Sequence, residues 1–157
     1  MRVPIKASVT DLYRAWSTQE GLEKWFLRLA AFKKEDGSVY HPTESVTAGA
    51  SYYWLWHGYG DDSNESRHVT DANGKDFFQF QFSGNCLVSV SIKPLPYDES
   101  MVELTQQNIP EDDRAESNLF VQCQLGWTFY LTNLKSVMEH GVDLRNKDEK
   151  IGKVVTA

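Results

Sequence analysis

The sequence predicts an α+β fold in which one curved antiparallel sheet carries a long C-terminal helix on its apolar face. Three observations lead there. From Leu29 to about Asn108 apolar and polar residues alternate, the period of half-buried strands. From about Asn118 to His140 the apolar residues recur every three or four positions, the period of a helix. Ahead of the sheet, between Ser8 and Phe26, two shorter segments also carry the helical period. A long helix with an apolar stripe must bury it, and the apolar face of the sheet is the surface large enough to receive it.

The elements follow in order. Val3, Ile5 and Ala7 alternate with Pro4 and Lys6 and predict a first strand. Ser8 is placed to cap a helix with Asp11 in its first turn, and Val9, Leu12 and Trp16 fall on one face. Ser17-Thr18-Gln19-Glu20 has the form of a capping box, which would start a second helix carrying Leu22, Trp25 and Phe26. Leu29–Lys34 reads as a strand closed by the turn Glu35–Ser38. Ala50–His57 reads as another, with Tyr52, Trp54 and Trp56 on one face and Tyr53, Leu55 and His57 on the other. The acidic loop Asp61–Asn64 leads to a strand at Glu65–Thr70, and Asn73-Gly74 is a hairpin signal. Phe77–Ser83 puts Phe78, Phe80 and Phe82 on one side and Gln79 and Gln81 on the other. Leu87–Lys93 and Ser100–Asn108 complete an antiparallel meander with one apolar face. Past Pro110 and the acidic run Glu111–Asp113, Ser117 or Asn118 can cap the long helix. Leu119, Cys123, Trp127, Tyr130 or Leu131, Leu134 and Met138 form its stripe, and Gly141 stands where a left-handed cap belongs. The 157 residues make one domain, 1–141, with a polar tail over 142–157.

Composition narrows the function. Aromatic residues make up 13% of the chain, with five Trp, seven Tyr and eight Phe, so a ring-rich interior is expected. The net charge of −6 and the scattered Lys and Arg argue against a nucleic-acid partner. No apolar run approaches the roughly 20 residues of a membrane span. Met1–Lys6 carries positive charge without an apolar stretch behind it, so no secretory leader is expected there. Cys86 and Cys123 read as small buried hydrophobes rather than a disulfide pair, and a reduced, cytoplasmic protein follows.

The order of elements resembles a known family. Val9-Thr10-Asp11-Leu12-Tyr13-Arg14-Ala15-Trp16, then Thr18–Phe26 ending in a Trp-Phe pair, resemble its opening helices. Phe77–Phe80 resembles its central strand and Val102–Thr105 its last strand. Leu125-Gly126-Trp127 and Leu131–Lys135 resemble its final helix. Over residues 3–141 the chain is similar to the START-like (SRPBCC, helix-grip) superfamily, and within it to the single-domain proteins named after the activator of heat-shock-protein-90 ATPase. The resemblance implies a cavity between sheet and final helix that holds a hydrophobic or amphipathic small molecule. It implies no fixed reaction. A chaperone is the second partner it implies, through larger multidomain relatives, and cyclase or hydrolase chemistry in the same cavity is the third reading. Two segments depart from the family pattern: the acidic loop Gly58–Ser66, and Asp36-Gly37 where relatives carry Pro-Gly-Gly.

No sequence motif for a catalytic nucleophile, phosphate loop or zinc protease is present, and no cofactor is expected. His57 and His68, flanking Asp61, Asp62 and Glu65, are the best arrangement for a metal, yet they lack ligand spacing and read as a solvated loop. His140 suits the end of the helix dipole. Asp11, Glu20, Glu23 and Glu103 read as helix starts or solvated faces, so no catalytic residue is expected among them. The expected cavity lining is Trp54, Trp56, Phe78, Phe80 and Phe82 from the strands. Trp25 and Phe26 join from the second helix, and Trp127, Tyr130, Leu131, Leu134 and Met138 from the last. Tyr52, Tyr53, His57, Gln79, Gln81 and Gln106 are the polar candidates.

Overall fold

The computed structural model describes residues 1–111, 118–148 and 150–151. Its elements are β1 (Arg2–Ile5), α1 (Val9–Ser17), α2 (Gln19–Trp25), β2 (Leu29–Lys33), β3 (Ser51–Leu55), β4 (Asn64–Ala72), β5 (Phe77–Phe82), β6 (Cys86–Pro94), β7 (Ser100–Gln107) and α3 (Leu119–His140). Asp112, Asp113 and Ser117, and the Val154-Val155 pair of the expected tail, lie outside the described residues.

The strands form one antiparallel seven-stranded sheet in the order β1-β7-β6-β5-β4-β3-β2. β2 to β7 is a plain meander, and β1 closes it by pairing with β7, Val3 opposite Val102. A break in register between Val69 and Asp71 bends β4 against β5. β6 alternates strictly, with Cys86, Val88, Val90 and Ile92 buried, and β7 buries Val102 and Leu104. All of those but Cys86 meet α1, α2 and the second half of α3 in one core. This is the helix-grip α+β fold that the resemblance implied.

The helix ends explain themselves locally. The Ser8 hydroxyl accepts from the Asp11 amide at 3.1 Å and starts α1. The expected capping box at Ser17 is displaced by one residue: Ser17 ends α1, and Thr18 accepts from the Gly21 amide at 2.9 Å to cap α2. Glu20 turns outward to Lys24 instead of back to the cap. Thr18 wins because its hydroxyl also donates to the Arg14 carbonyl at 2.8 Å, serving both helices at their corner. Asn118 caps α3, and Gly141 ends it with φ 69°, its amide donating to the Val137 carbonyl at 2.9 Å.

Past α3 the chain stays on the body. The Arg145 guanidinium donates to the carbonyls of Leu27 at 3.0 Å and Glu23 at 2.9 Å and forms an ion pair with Asp143. Asn133, fully buried in α3, donates to the Trp25 carbonyl and accepts from the Leu144 amide. α2, the second half of α3 and residues 143–145 are thereby bolted together.

Candidate functional site

The interior between sheet and helices is filled with rings. Trp54 stacks on Tyr52 with centroids 3.9 Å apart and meets Phe80 edge-on at 5.1 Å. Trp16 meets Trp25 at 4.6 Å, and Phe26 links Trp25, Trp127 and Tyr130 at 5.2, 5.3 and 4.7 Å. Of the residues expected to line a cavity, Trp54, Phe78, Phe80, Leu131 and Leu134 lie in this packed mass, all under 5% exposed. The indole N–H groups of Trp16 and Trp54 have no acceptor among the described residues.

Open space lies at the rim, under the first turns of α3. One cavity of about 210 Å³ is walled by Phe26, Trp56, Phe82, Trp127 and Tyr130, with Ser83 and Gly126 at its edges. A second, of about 290 Å³, lies on the β7 side of the same helix, between Leu104, Gln106, Ile109 and Phe120. Both include Cys123 and Trp127 in their walls. Trp25 and Met138 border a third space of about 230 Å³ between the helices, among Asp11, Arg14, Glu20 and Lys24.

The architecture explains why the space is there. The β5–β6 hairpin turns through Ser83 and Gly84, both at positive φ, and its tip ends at the rim. β3 ends at Leu55, so Trp56 leaves the ladder and swings its ring between Phe26 and Phe82, 5.9 and 6.2 Å away. Gly126 is the remaining wall: a Cβ built on it meets no atom within 4 Å. Close packing therefore does not call for a glycine at this helical position, where it costs about 0.8–1.0 kcal/mol relative to Ala. What the glycine leaves is room.

The polar groups sort clearly. Gln106 is half-buried; its amide nitrogen lies 3.3 Å from the Cys123 sulfur and its oxygen accepts from the Trp127 indole at 2.7 Å. Burial pushes the phenol of Tyr130 well above its ordinary value, so it keeps its proton. Tyr52 is pushed up for the same reason and donates to the Gln81 carbonyl. Burial also raises Cys123, which works against a thiolate. His57 is held below its ordinary value by burial, with Arg145 and Lys147 adding to the effect, so it is neutral near pH 7. Tyr53, Gln79 and Gln81 belong to the outer sheet face: Gln79 bonds Thr70 and Ser89 there. His68 stands opposite Ser51, while His57 lies beyond the other end of β3. At about 3.3 Å per residue the two histidines are roughly 20 Å apart along the strand and do not converge.

Periodicity does not record the features that shape this space. Gly126, the Gln106–Trp127 bond and the buried Asn133 each depend on tertiary contact. α3 also departs from a single stripe: Trp127, Tyr130, Leu131 and Leu134 are buried, whereas Phe120, Val121 and Leu125 are 57%, 44% and 65% exposed. Its first half overhangs the rim, with apolar side chains pointing away from the core as well as toward it.

Comparison with known proteins agrees with the architecture. A protein from Staphylococcus saprophyticus is 13% identical, with a TM-score of 0.67 over 99% of this chain and 96% of that one. The Aha1 dimer from Colwellia psychrerythraea is 18% identical, with a TM-score of 0.66 over 90% and 95% of the two chains. DynU16, a protein in the dynemicin biosynthetic locus, is 18% identical at a TM-score of 0.64, covering 94% of this chain and 49% of that one. Identities this low speak for a shared fold. No curated protein matches. Among the described residues no helix is long and apolar enough to cross a membrane. The family model for activator of Hsp90 ATPase homolog 1-like protein matches residues 6–139, and the chain belongs to that family.

Proposed function

We propose that the chain is a binding protein for an uncharged, ring-bearing small molecule, held in the rim cavity under the first turns of α3. The observation that carries this is the set of rings of Phe26, Trp56, Phe82, Trp127 and Tyr130 around about 210 Å³, left open by Gly126. A cavity of about 150 Å³ is enough for benzene, so a fused or linked pair of rings suits this one. Among the described residues no charged side chain lines it, so a charged guest would lose its hydration without a partner. Ser83, Gln122 and the Tyr130 phenol put polar groups into a wall that is otherwise mostly rings. The half-buried thiol of Cys123 and the buried one of Cys86 are both free, which supports a reducing, cytoplasmic setting.

The test uses the position where an added Cβ meets no atom within 4 Å. 1-Naphthylamine, uncharged at pH 7 and with a fluorescence that shifts to the blue in apolar surroundings, is expected to bind the unaltered chain saturably. Gly126→Leu should abolish binding while the circular dichroism spectrum and melting temperature stay at or above those of the unaltered chain. Absence of saturable binding, or equal binding by Gly126→Leu, removes the reading.

A second reading rests on a separate observation: the exposed row Phe120, Val121 and Leu125 along α3. Such a row suits a partner protein, and the family's name points to the Hsp90 ATPase. An Hsp90 ATPase assay with the chain and with its Phe120→Ser, Leu125→Ser variant separates the two. Only the second reading has the rate change with the chain and revert with the variant.

A further inference from the structure

The two rim cavities, about 210 and 290 Å³, have Cys123 and Trp127 in common, so these side chains are the wall between them. The Trp127 ring, 4% exposed, packs on Trp16, Phe26 and Phe82 with centroids 6.2, 5.3 and 5.4 Å away, contacts that carry no fixed direction. The Trp127 indole is held on its polar edge by one bond, 2.7 Å to the Gln106 oxygen, and the same amide steadies Cys123 from its nitrogen. Beyond the wall the helix is bolted to the body by Asn133, by Lys135 on the Pro4 carbonyl and by Glu139 on the Lys6 amide. Just before Trp127 stands Gly126, with open space where a Cβ would be, and glycine is where a helix bends most readily. Behind Trp127, centroid to centroid 6.2 Å, lies Trp16, whose buried N–H lacks an acceptor among the described residues.

Resting on the rim-site reading, we infer that Trp127 is a movable partition latched by Gln106. The natural guest is then an elongated, uncharged, conjugated molecule that displaces the indole and lies across both cavities. Each cavity alone admits one or two rings; a longer guest needs both. Gln106 thus sets specificity without closing the site: it favours short guests by holding the wall and admits long ones only when their binding exceeds the value of the latch. An acceptor on the guest would be favoured beside the unpartnered Trp16 N–H.

Two uncharged fluorescent probes separate the possibilities. 1-Naphthylamine, a single fused pair of rings, fits the rim cavity alone; diphenylhexatriene is long enough to need both. Gln106→Leu keeps the bulk and removes the latch, and it is expected to tighten diphenylhexatriene about fivefold, the value of one ordinary hydrogen bond. The naphthylamine should change by less than twofold. In the unaltered chain the side-chain amide resonances of Gln106 should move on adding diphenylhexatriene and stay in place with the naphthylamine. Diphenylhexatriene binding with an unmoved Gln106 amide, or with equal affinity in a well-folded Gln106→Leu, overturns the partition while leaving the rim site intact. Failure of both probes to bind overturns both. Should Gln106→Leu not fold, the amide readout on the unaltered chain decides alone.

Discussion

At the scale of single residues, the side chains that matter most are those whose partners lie far away in sequence. The Arg145 side chain is 1% exposed, and its guanidinium answers the carbonyls of Glu23 and Leu27 and the carboxylate of Asp143. Removing it takes the guanidinium from both carbonyls and leaves Asp143 with Lys147, Asn133 and the backbone amide of residue 145. Arg145→Met should lower the unfolding free energy by about 3 kcal/mol, the lower part of the range for breaking a buried pair, because Asp143 keeps other partners. A urea titration measures it; a loss under about 1 kcal/mol would mean that water reaches those carbonyls in the folded state. In the sequence Arg145 is one basic residue in a polar stretch, and no local spacing announces that it reaches back to Leu27. Ser8 and Gly141 were legible for the opposite reason: a cap is satisfied within four residues of itself. Gln106 falls between. The sequence offers it as one of several polar candidates, but only the placement of α3 gives it Trp127.

At the scale of elements, the strands were the most legible part, since alternation records which face is covered and pairing preserves it from strand to strand. The second half of α3 was legible because it is packed. The first half was not, because its apolar side chains are distributed around an overhanging helix rather than gathered on one side. The corner between α1 and α2 shows a limit of motif reading. Ser17-Thr18-Gln19-Glu20 offered two adjacent hydroxyls, and the choice of Thr18 was made by the Arg14 carbonyl it also serves. The same corner makes Gly21 irreplaceable. A Cβ there would run into the Arg14 carbonyl and come within 2.8 Å of the Ala15 Cα, both backbone atoms. Gly21→Ala should therefore destabilise the protein by about 1–3 kcal/mol, as overpacking does, although alanine is the better helix former. Gly126→Ala, with nothing near its Cβ, should stabilise it by about 0.8–1.0 kcal/mol. Chemical denaturation of the two variants in parallel checks this, and stabilisation by both would show that intrinsic propensity outweighs packing at the corner.

At the scale of the whole molecule, acidity tests how the parts are joined, because two groups shifted from their ordinary values sit at one junction. His57, at the end of β3, faces Arg145, Lys147, Asp143 and Arg28. Burial and the neighbouring cations favour its neutral form, so the folded state binds a proton less readily than the unfolded chain. Its share of stability is fully present above the unfolded value near 6.5 and is lost as the pH falls from there toward the lower folded value. Asp143 is the opposite type of group. Burial alone would raise it, but the bonds from Arg145 and Lys147 more than offset this and hold it far below the usual carboxylate range. Its contribution is present above the unfolded value near 3.9 and is lost as the pH falls further. Glu20, Glu44 and Glu139 are lowered in the same direction by lysines at the surface, where salt screens the effect. The expected profile has a plateau near neutrality and a shallow first decline beginning at about pH 6.5. A steeper second decline begins below about pH 4. His57→Gln should remove the first step and leave the second; Asp143→Asn should weaken the protein near pH 7 and flatten the second. Raising salt should reduce only the part owed to the surface pairs. Urea midpoints across this range measure all of it, and equal stability of the unaltered chain at pH 7.5 and pH 5 would show that the β3 end and the segment after α3 are not coupled through His57.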